Sequence, residues 1–253
     1  MRPLALCCVV ETEVGRRATN EDAAFATSRV AVVADGVGGA ASGEVASRWV
    51  VNSFITLDKS LLTRPLPEAL SDTVRWANEA LGFISACHPK HAGMASTVTA
   101  VALSEDGEYL VMNVGDSRTY LLRDGRLGRL TRDDSLVQEL LDRGAITDAE
   151  ARTHPGRSIV LAALDGQPRD AVRPTRVRAR DGDRLLLCSD GLSDALDDQT
   201  IAETLTFASG EDCAHALIRL ALKCGARDNI SVIVADVKPR TDSGSGWLPA
   251  LAR

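Results

Sequence analysis

The chain has 253 residues, 45% of them apolar and 25% charged, which suits one globular domain with a substantial core and excludes global disorder. Its formal net charge of −6 excludes a basic surface built for nucleic acid or for insertion at an anionic membrane. The 6 cysteines form no C-x-x-C pair, which excludes a zinc ribbon and predicts free core thiols in a reducing compartment.

The opening MRPLALCCVV is cut short by Glu11, with no small-residue cleavage site after it, so residues 4–10 read as a first core strand of a cytoplasmic protein. No run reaches transmembrane length. Residues 30–34 predict a second strand, stopped by Asp35-Gly36-Val37-Gly38-Gly39. From Gly43 to about Leu62 the pattern turns helical, with Val45, Trp49, Val50, Phe54, Leu57 and Leu61. Pro65 and Pro67 end that helix. A second follows, its apolar stripe formed by Leu70, Val74, Ala77, Leu81 and Ile84. Trp49, Phe54 and Trp76 are expected in the core.

The period then changes to two. Residues 97–103 read as a strand, as do 108–114 and 118–123 on either side of Gly115-Asp116-Ser117. Asp124-Gly125 signals a hairpin turn. Short helices are predicted over 135–143 and 147–152, a strand over 184–188 ending at Ser189-Asp190-Gly191, a helix over 211–224, and a last strand over 230–237 directly after Asp228-Asn229. His88 and His91 flank Pro89 and read as a loop. The domain is expected to span residues 1–240, with 241–253 a flexible Pro/Gly/Ser-containing tail. Two long helices beside consecutive hairpins point to the α+β class.

Acidic residues recur where strands begin or end: Asp35 before Gly36, Asp190 before Gly191, Asp116 after Gly115, Asp228 before the last strand, and Glu21-Asp22 with Arg17 four residues ahead of Glu21. Carboxylates at strand ends have fixed backbones and can converge at one edge of a sheet. Hard cations such as Mg²⁺ or Mn²⁺ take oxygen ligands of this kind. Two such cations about 4 Å apart can share a water and lower its pKa for attack on phosphorus, while a neighbouring Arg grips phosphoryl oxygens in a fork. Any single Asp-Gly is ordinarily just a turn; the joint pattern carries the reading.

The stretches Arg17-Ala-Thr-Asn20-Glu21-Asp22, Ala34-Asp35-Gly36-Val37-Gly38-Gly39, Met94-Ala-Ser-Thr97, Asn113-Val-Gly115-Asp116-Ser117-Arg118, Cys188-Ser-Asp190-Gly191-Leu192-Ser-Asp194 and Asp228-Asn229-Ile-Ser-Val resemble, in order, the PPM family. These are the metal-dependent type 2C protein Ser/Thr phosphatases, here in a compact bacterial form. The resemblance spans residues 4–237. It implies a four-layer α/β/β/α sandwich with two central antiparallel β-sheets flanked by helices. It implies hydrolysis of phosphoserine and phosphothreonine by direct attack of a hydroxide bridging two Mn²⁺ or Mg²⁺ ions. By the same resemblance Asp35 bridges the metals, Asp190 and Asp228 complete one shell, and Glu21 and the Gly36 carbonyl belong to the other. Asp22 holds a metal-bound water, Arg17 binds substrate phosphate, and Asp116 joins Asp190 at a weaker third ion. The expected partner is a phosphoprotein, either a bacterial Ser/Thr kinase or its targets, and the expected state is a monomer.

Two departures stand out. Val37 occupies the place where many eukaryotic members carry a His proposed as general acid, and Asp134 stands where the family usually has His. Two other readings remain open on the sequence. One is a catalytically silent phosphoprotein-binding module, although no metal carboxylate is lost. The other is a different two-metal phosphohydrolase, such as a nucleotide hydrolase, although no G-x-x-x-x-G-K-[ST] loop occurs.

Overall fold

The computed structural model describes residues 3–37, 40–60, 64–240 and 250–251. Among them the strands are β1 (Leu4–Glu13), β2 (Asp22–Ala26), β3 (Val30–Val37), β4 (Ala95–Ser96), β5 (Val98–Leu103), β6 (Glu108–Val114), β7 (Arg118–Arg123), β8 (Arg126–Arg129), β9 (Thr175–Arg178), β10 (Arg184–Cys188), β11 (Ile230–Pro239) and β12 (Ala250–Leu251). The helices are α1 (Ala40–Ser60), α2 (Leu66–Cys87), α3 (Leu136–Asp142), α4 (Asp148–Thr153), α5 (Asp190–Ser193), α6 (Asp198–Leu205) and α7 (Gly210–Lys223).

The strands form two antiparallel sheets. One runs β1-β11-β10-β7-β8; the other runs β12-β2-β3-β5-β6-β9, with β4 paired to the end of β3. Period-two alternation explains how they stack. Val30, Val32 and Ala34 face one way and pack with Val50, Phe54, Leu70 and Leu81 of α1 and α2. Ala31 and Val33 face the other way, into a core shared with Leu185, Leu187, Ile233 and Ala235 of the opposite sheet. On that sheet the intervening Leu186, Val232 and Val234 turn outward and pack with Ile201 and Leu217 of α6 and α7. Three cores therefore separate four layers. The inner strands are apolar on both faces, so they read as continuous hydrophobic runs even though they pair antiparallel.

The structure extends and corrects several sequence expectations. β3 does not stop at Ala34: Gly36 and Val37 continue the strand because Ser96 and Ala95 of β4 pair with them. Trp49 and Trp76 are 46% and 50% exposed, whereas Phe54 is fully buried. The buried stripe of α2 runs through Leu70, Val74, Ala77 and Leu81, and Trp76 falls off it; its ring lies against the guanidinium groups of Arg64 and Arg75 instead. The Asp124-Gly125 hairpin forms with positive φ at both residues, 51° and 73°, as a tight two-residue turn demands. His88 precedes and His91 ends a single 3₁₀ turn at Pro89–His91. Of the 241–253 segment, Ala250 and Leu251 pair with Ala26 and Phe25 of β2; its other residues lie outside the described ones, as do Gly38, Gly39, Leu61 and Leu62. No helix among the described residues is long and apolar enough to cross a membrane.

Candidate metal centre

Because both sheets are antiparallel, the end of one strand lies beside the beginning of the next, and one edge of the sandwich collects the acidic residues. Asp35 lies on β3 and Asp22 opens β2, the two directly paired in register. Asp190 follows β10 and Asp228 precedes β11 on the facing sheet, while Asp116 sits in the turn that crosses from β6 to β7. A cavity of about 1270 Å³ opens at this edge, lined by Arg17, Glu21, Asp35, Gly36, Asp116, Asp190 and Asp228. Seven of the eight site residues expected from the sequence thus share one cleft. The eighth, Asp22, sits just behind it, where its Oδ2 accepts from Ser189 Oγ at 2.7 Å.

The backbone around these side chains is tightly held. Asp35 N–H donates to Thr97 Oγ1 at 3.0 Å, and Thr97 N–H returns to the Asp35 carbonyl at 2.8 Å. Gly36 is required by a close approach: a Cβ there would lie 2.0 Å from the Gly43 carbonyl oxygen, and a Cβ on Gly43 would lie 1.9 Å from Glu21 Oε2 and 2.7 Å from the Gly36 carbonyl oxygen. The Glu21 carboxylate and the Gly36 carbonyl therefore converge on one small space that only glycine at position 43 leaves open.

The electrostatics are those of an anion cluster lacking its counter-charge. Burial raises Asp35 well above the ordinary carboxylate range, and Asp22, Asp190, Asp116 and Asp228 push in the same direction. Burial likewise raises Asp190, with Asp116, Asp194 and Asp228 adding to it. Burial lifts Asp22 to about 6 against the hydrogen bond from Ser189, and lifts Asp116 to about 6 with help from Asp133. The Oδ1 atoms of Asp22 and Asp190 are enclosed and have no hydrogen-bond partner. Buried polar atoms are rarely left so. Among the described residues no three His, Cys, Asp or Glu side chains are grouped so as to hold a metal ion by themselves; the carboxylates line an open cleft. Such a donor set fits hard divalent cations that keep several waters.

Arg17 projects over this channel with 58% of its side chain exposed, and its guanidinium donates to Asp228 Oδ2 at 2.6 Å. The residue expected to meet a phosphate is therefore beside an expected metal carboxylate. Asn229 is an anchoring residue that the sequence did not single out by role. Its Oδ1 accepts from Glu21 N–H at 2.8 Å, and its Nδ2 donates to the carbonyls of Val14 and Thr19 at 3.0 and 2.9 Å. One side chain thus fixes the loop that carries Arg17 and Glu21 to the turn that carries Asp228, just before β11. Its position immediately after Asp228 was the only available signal. Asp134, in the place of the family's His, accepts from Gly115 N–H at 3.1 Å and so braces the turn carrying Asp116.

Comparison with known proteins agrees with this architecture. The family model described as Protein phosphatase 2C matches residues 14–219. The chain is 46% identical over 223 residues to the serine/threonine protein phosphatase PstP of Mycobacterium tuberculosis, covering 87% of this chain and 43% of that protein, so it spans less than half the length of this relative. It is 34% identical over 212 residues to the serine/threonine phosphatase stp of Listeria monocytogenes, covering 82% of this chain and 84% of that one. The solved catalytic domain of PstP, in complex with two manganese ions, superposes with a TM-score of 0.85 at 41% identity, covering 93% of this chain and 99% of that one.

Proposed function

Since the chain belongs to the protein phosphatase 2C family, we propose that it is a metal-dependent protein serine/threonine phosphatase, hydrolysing phosphoserine and phosphothreonine in phosphoproteins. The observation that carries this reading is the convergence of Asp35, Asp190, Asp228, Glu21 and the Gly36 carbonyl in one cleft beside Arg17. The manganese ions of the PstP catalytic domain support Mn²⁺ or Mg²⁺ as the cofactor.

In this assignment Asp35 would contribute to holding both ions, Asp190 and Asp228 would hold one of them, Glu21 and the Gly36 carbonyl the other, and Asp116 with Asp190 would hold a weaker third. When bound, the ion pair supplies positive charge to the phosphoryl oxygens and lowers the pKa of water to make a nucleophile near neutral pH. The protein's own groups do the rest. Asp22, anchored by Ser189, orients water at the back of the channel. Arg17, half exposed and paired with Asp228, would turn its fork to the incoming phosphate, exchanging one anion for another. Asn229 holds the Arg17–Glu21 loop in reach. No histidine lines the cleft among the described residues, and Val37 is apolar, so no imidazole stands ready there to protonate the leaving alkoxide.

The net charge of −6 supports a single chain and the free cysteines support a reducing cytoplasm; the opposing bacterial Ser/Thr kinase is part of the same proposal and rests on the family resemblance. The direct test is release of inorganic phosphate from a phosphothreonine peptide. Activity is expected with Mn²⁺ and abolished by Asp35→Asn or Asp190→Asn; full activity in excess chelator would sink the proposal.

A further inference from the structure

We propose that the cleft reads the substrate beside its phosphorylated residue and favours an apolar side chain there, through Ile159 and Leu161 together with Val37. This inference rests on the phosphatase reading above.

The cleft continues away from the carboxylates, between Gly82, Ser85 and Ala86 of α2 and the segment 158–167. Val37, Ile159 and Leu161 are 47%, 48% and 51% exposed, and all three line this one cleft. Single exposed apolar residues are unremarkable, but three gathered at the mouth of one polar site mark a surface made for contact. Ile159 and Leu161 flank Val160, which forms an isolated bridge to Ser135, and both line the cleft while remaining half exposed.

That run is anchored along its length. Leu136 N–H donates to the Ile159 carbonyl at 2.9 Å, and Leu161 N–H donates to the Asp134 carbonyl at 2.7 Å. Val160 bridges to Ser135 and Leu164 to Ser96. Farther on, Asn78 Oδ1 accepts from the N–H groups of Asp165 and Gly166 at 3.0 Å each, and Asn78 Nδ2 donates to the Gln167 carbonyl at 2.8 Å. Gly166 lies so close to α2 that a Cβ on it would meet the Gly82 Cα at 2.2 Å. The apolar pair is thus presented on a fixed wall, and little ordering entropy opposes binding to it.

Charge recognition does not explain this wall. Glu79 pairs with Arg75 at 3.0 Å, and Asp165 Oδ1 accepts from Gln167 N–H at 3.0 Å, so the acidic groups at its far side already have partners. The wall is continuous with the phosphate site, so its occupant is the peptide that carries the phosphate.

The test uses matched phosphothreonine peptides that differ only in Leu, Ser or Lys at the flanking positions, with Mn²⁺ present. Wild type is expected to favour the Leu peptide over the Ser peptide by about tenfold or more in kcat/KM, since pocket contacts of this size discriminate by such factors. Leu161→Ser and Ile159→Ser should each shrink that ratio several-fold, and Leu161→Glu should shift preference to the Lys peptide, a gain that also reports a folded enzyme. Equal kcat/KM for the Leu and Ser peptides in wild type, or a ratio unmoved in every variant, overturns the inference and leaves the phosphatase reading standing. Hydrolysis of none of the peptides by wild type defeats both. Dimerisation of wild type that Leu161→Glu abolishes assigns the face to a second copy and overturns the inference.

Discussion

Asp22 and Asp35 lie directly opposite each other across the antiparallel pair of β2 and β3. Like charges so placed destabilise a sheet, and burial raises both. The pair is therefore retained at a cost to the metal-free fold, and it is useful only when a cation or a proton sits among these carboxylates. Stability sacrificed at one edge of a well-packed sandwich marks that edge as the working end.

Removing one of these charges should separate stability from activity. Asp35→Asn should lower phosphopeptide hydrolysis by about a thousandfold or more, because the shared ligand for both ions is lost. The same substitution should raise the Tm of the chelated protein near neutral pH. Thermal melts with chelator, set beside phosphate-release rates, check both halves. A lower Tm in chelator would contradict the reading of a frustrated charge cluster.

The linkage gives a pH dependence with a defined sign. Asp22 and Asp116 move from an ordinary 3.8 to about 6 in the fold, and Asp35 and Asp190 move further in the same direction. A carboxyl that holds its proton more tightly when folded contributes stability fully present below its unfolded pKa and lost as pH rises through the folded one. Chelated protein should therefore melt at progressively lower temperature as pH rises from about 4 through 6 and above. Saturating Mn²⁺ should raise the Tm more at pH 8 than at pH 5, measurable by scanning calorimetry.

Arg17 and Asp228 form an ion pair at 2.6 Å. Arg17→Ala should raise KM for a phosphopeptide by about tenfold or more, as expected for loss of a forked phosphate contact, without weakening Mn²⁺ binding. Steady-state kinetics together with a Mn²⁺ titration check this. Weaker Mn²⁺ binding in the variant would mean that the arginine supports the carboxylate rather than the substrate.

Asn229 predicts a loss of both stability and function. Asn229→Ala strands the Glu21 N–H and the Thr19 carbonyl and leaves the Val14 carbonyl with only the Arg17 N–H at 3.3 Å, which should cost roughly 3 kcal/mol in a urea melt. It should also raise KM, by releasing the loop that carries Arg17.

Much of this was legible in the chain. β6, β7 and β10 have the boundaries that their alternating and β-branched runs announce, and α2 buries the stripe Leu70, Val74, Ala77 and Leu81 that its spacing lays out. Asp35, Asp116 and Asp190 stood out as carboxylates beside glycines at strand ends, while Arg17, Glu21, Gly36 and Asp228 gained their expected roles from the order of the motifs and their resemblance to the PPM family. What escaped depends on contacts distant in sequence. β2 is a five-residue strand rich in alanine, too small to signal its pairing with β3. The extension of β3 through Val37 comes from β4, some sixty residues on. α6 is announced only by the cap that Asp197 makes on Thr200 N–H. The anchoring roles of Asn229 and Asn78 lie in side-chain bonds to loops far along the chain, and no local periodicity encodes them.

The account stands most directly on whether the channel takes two divalent cations through Asp35. Isothermal titration of chelator-stripped protein with Mn²⁺ measures this. Two ions per chain for wild type, falling to one or none in Asp35→Asn, is the predicted result. Absence of binding heat in wild type, or an Asp35→Asn isotherm that overlays it, would contradict the account.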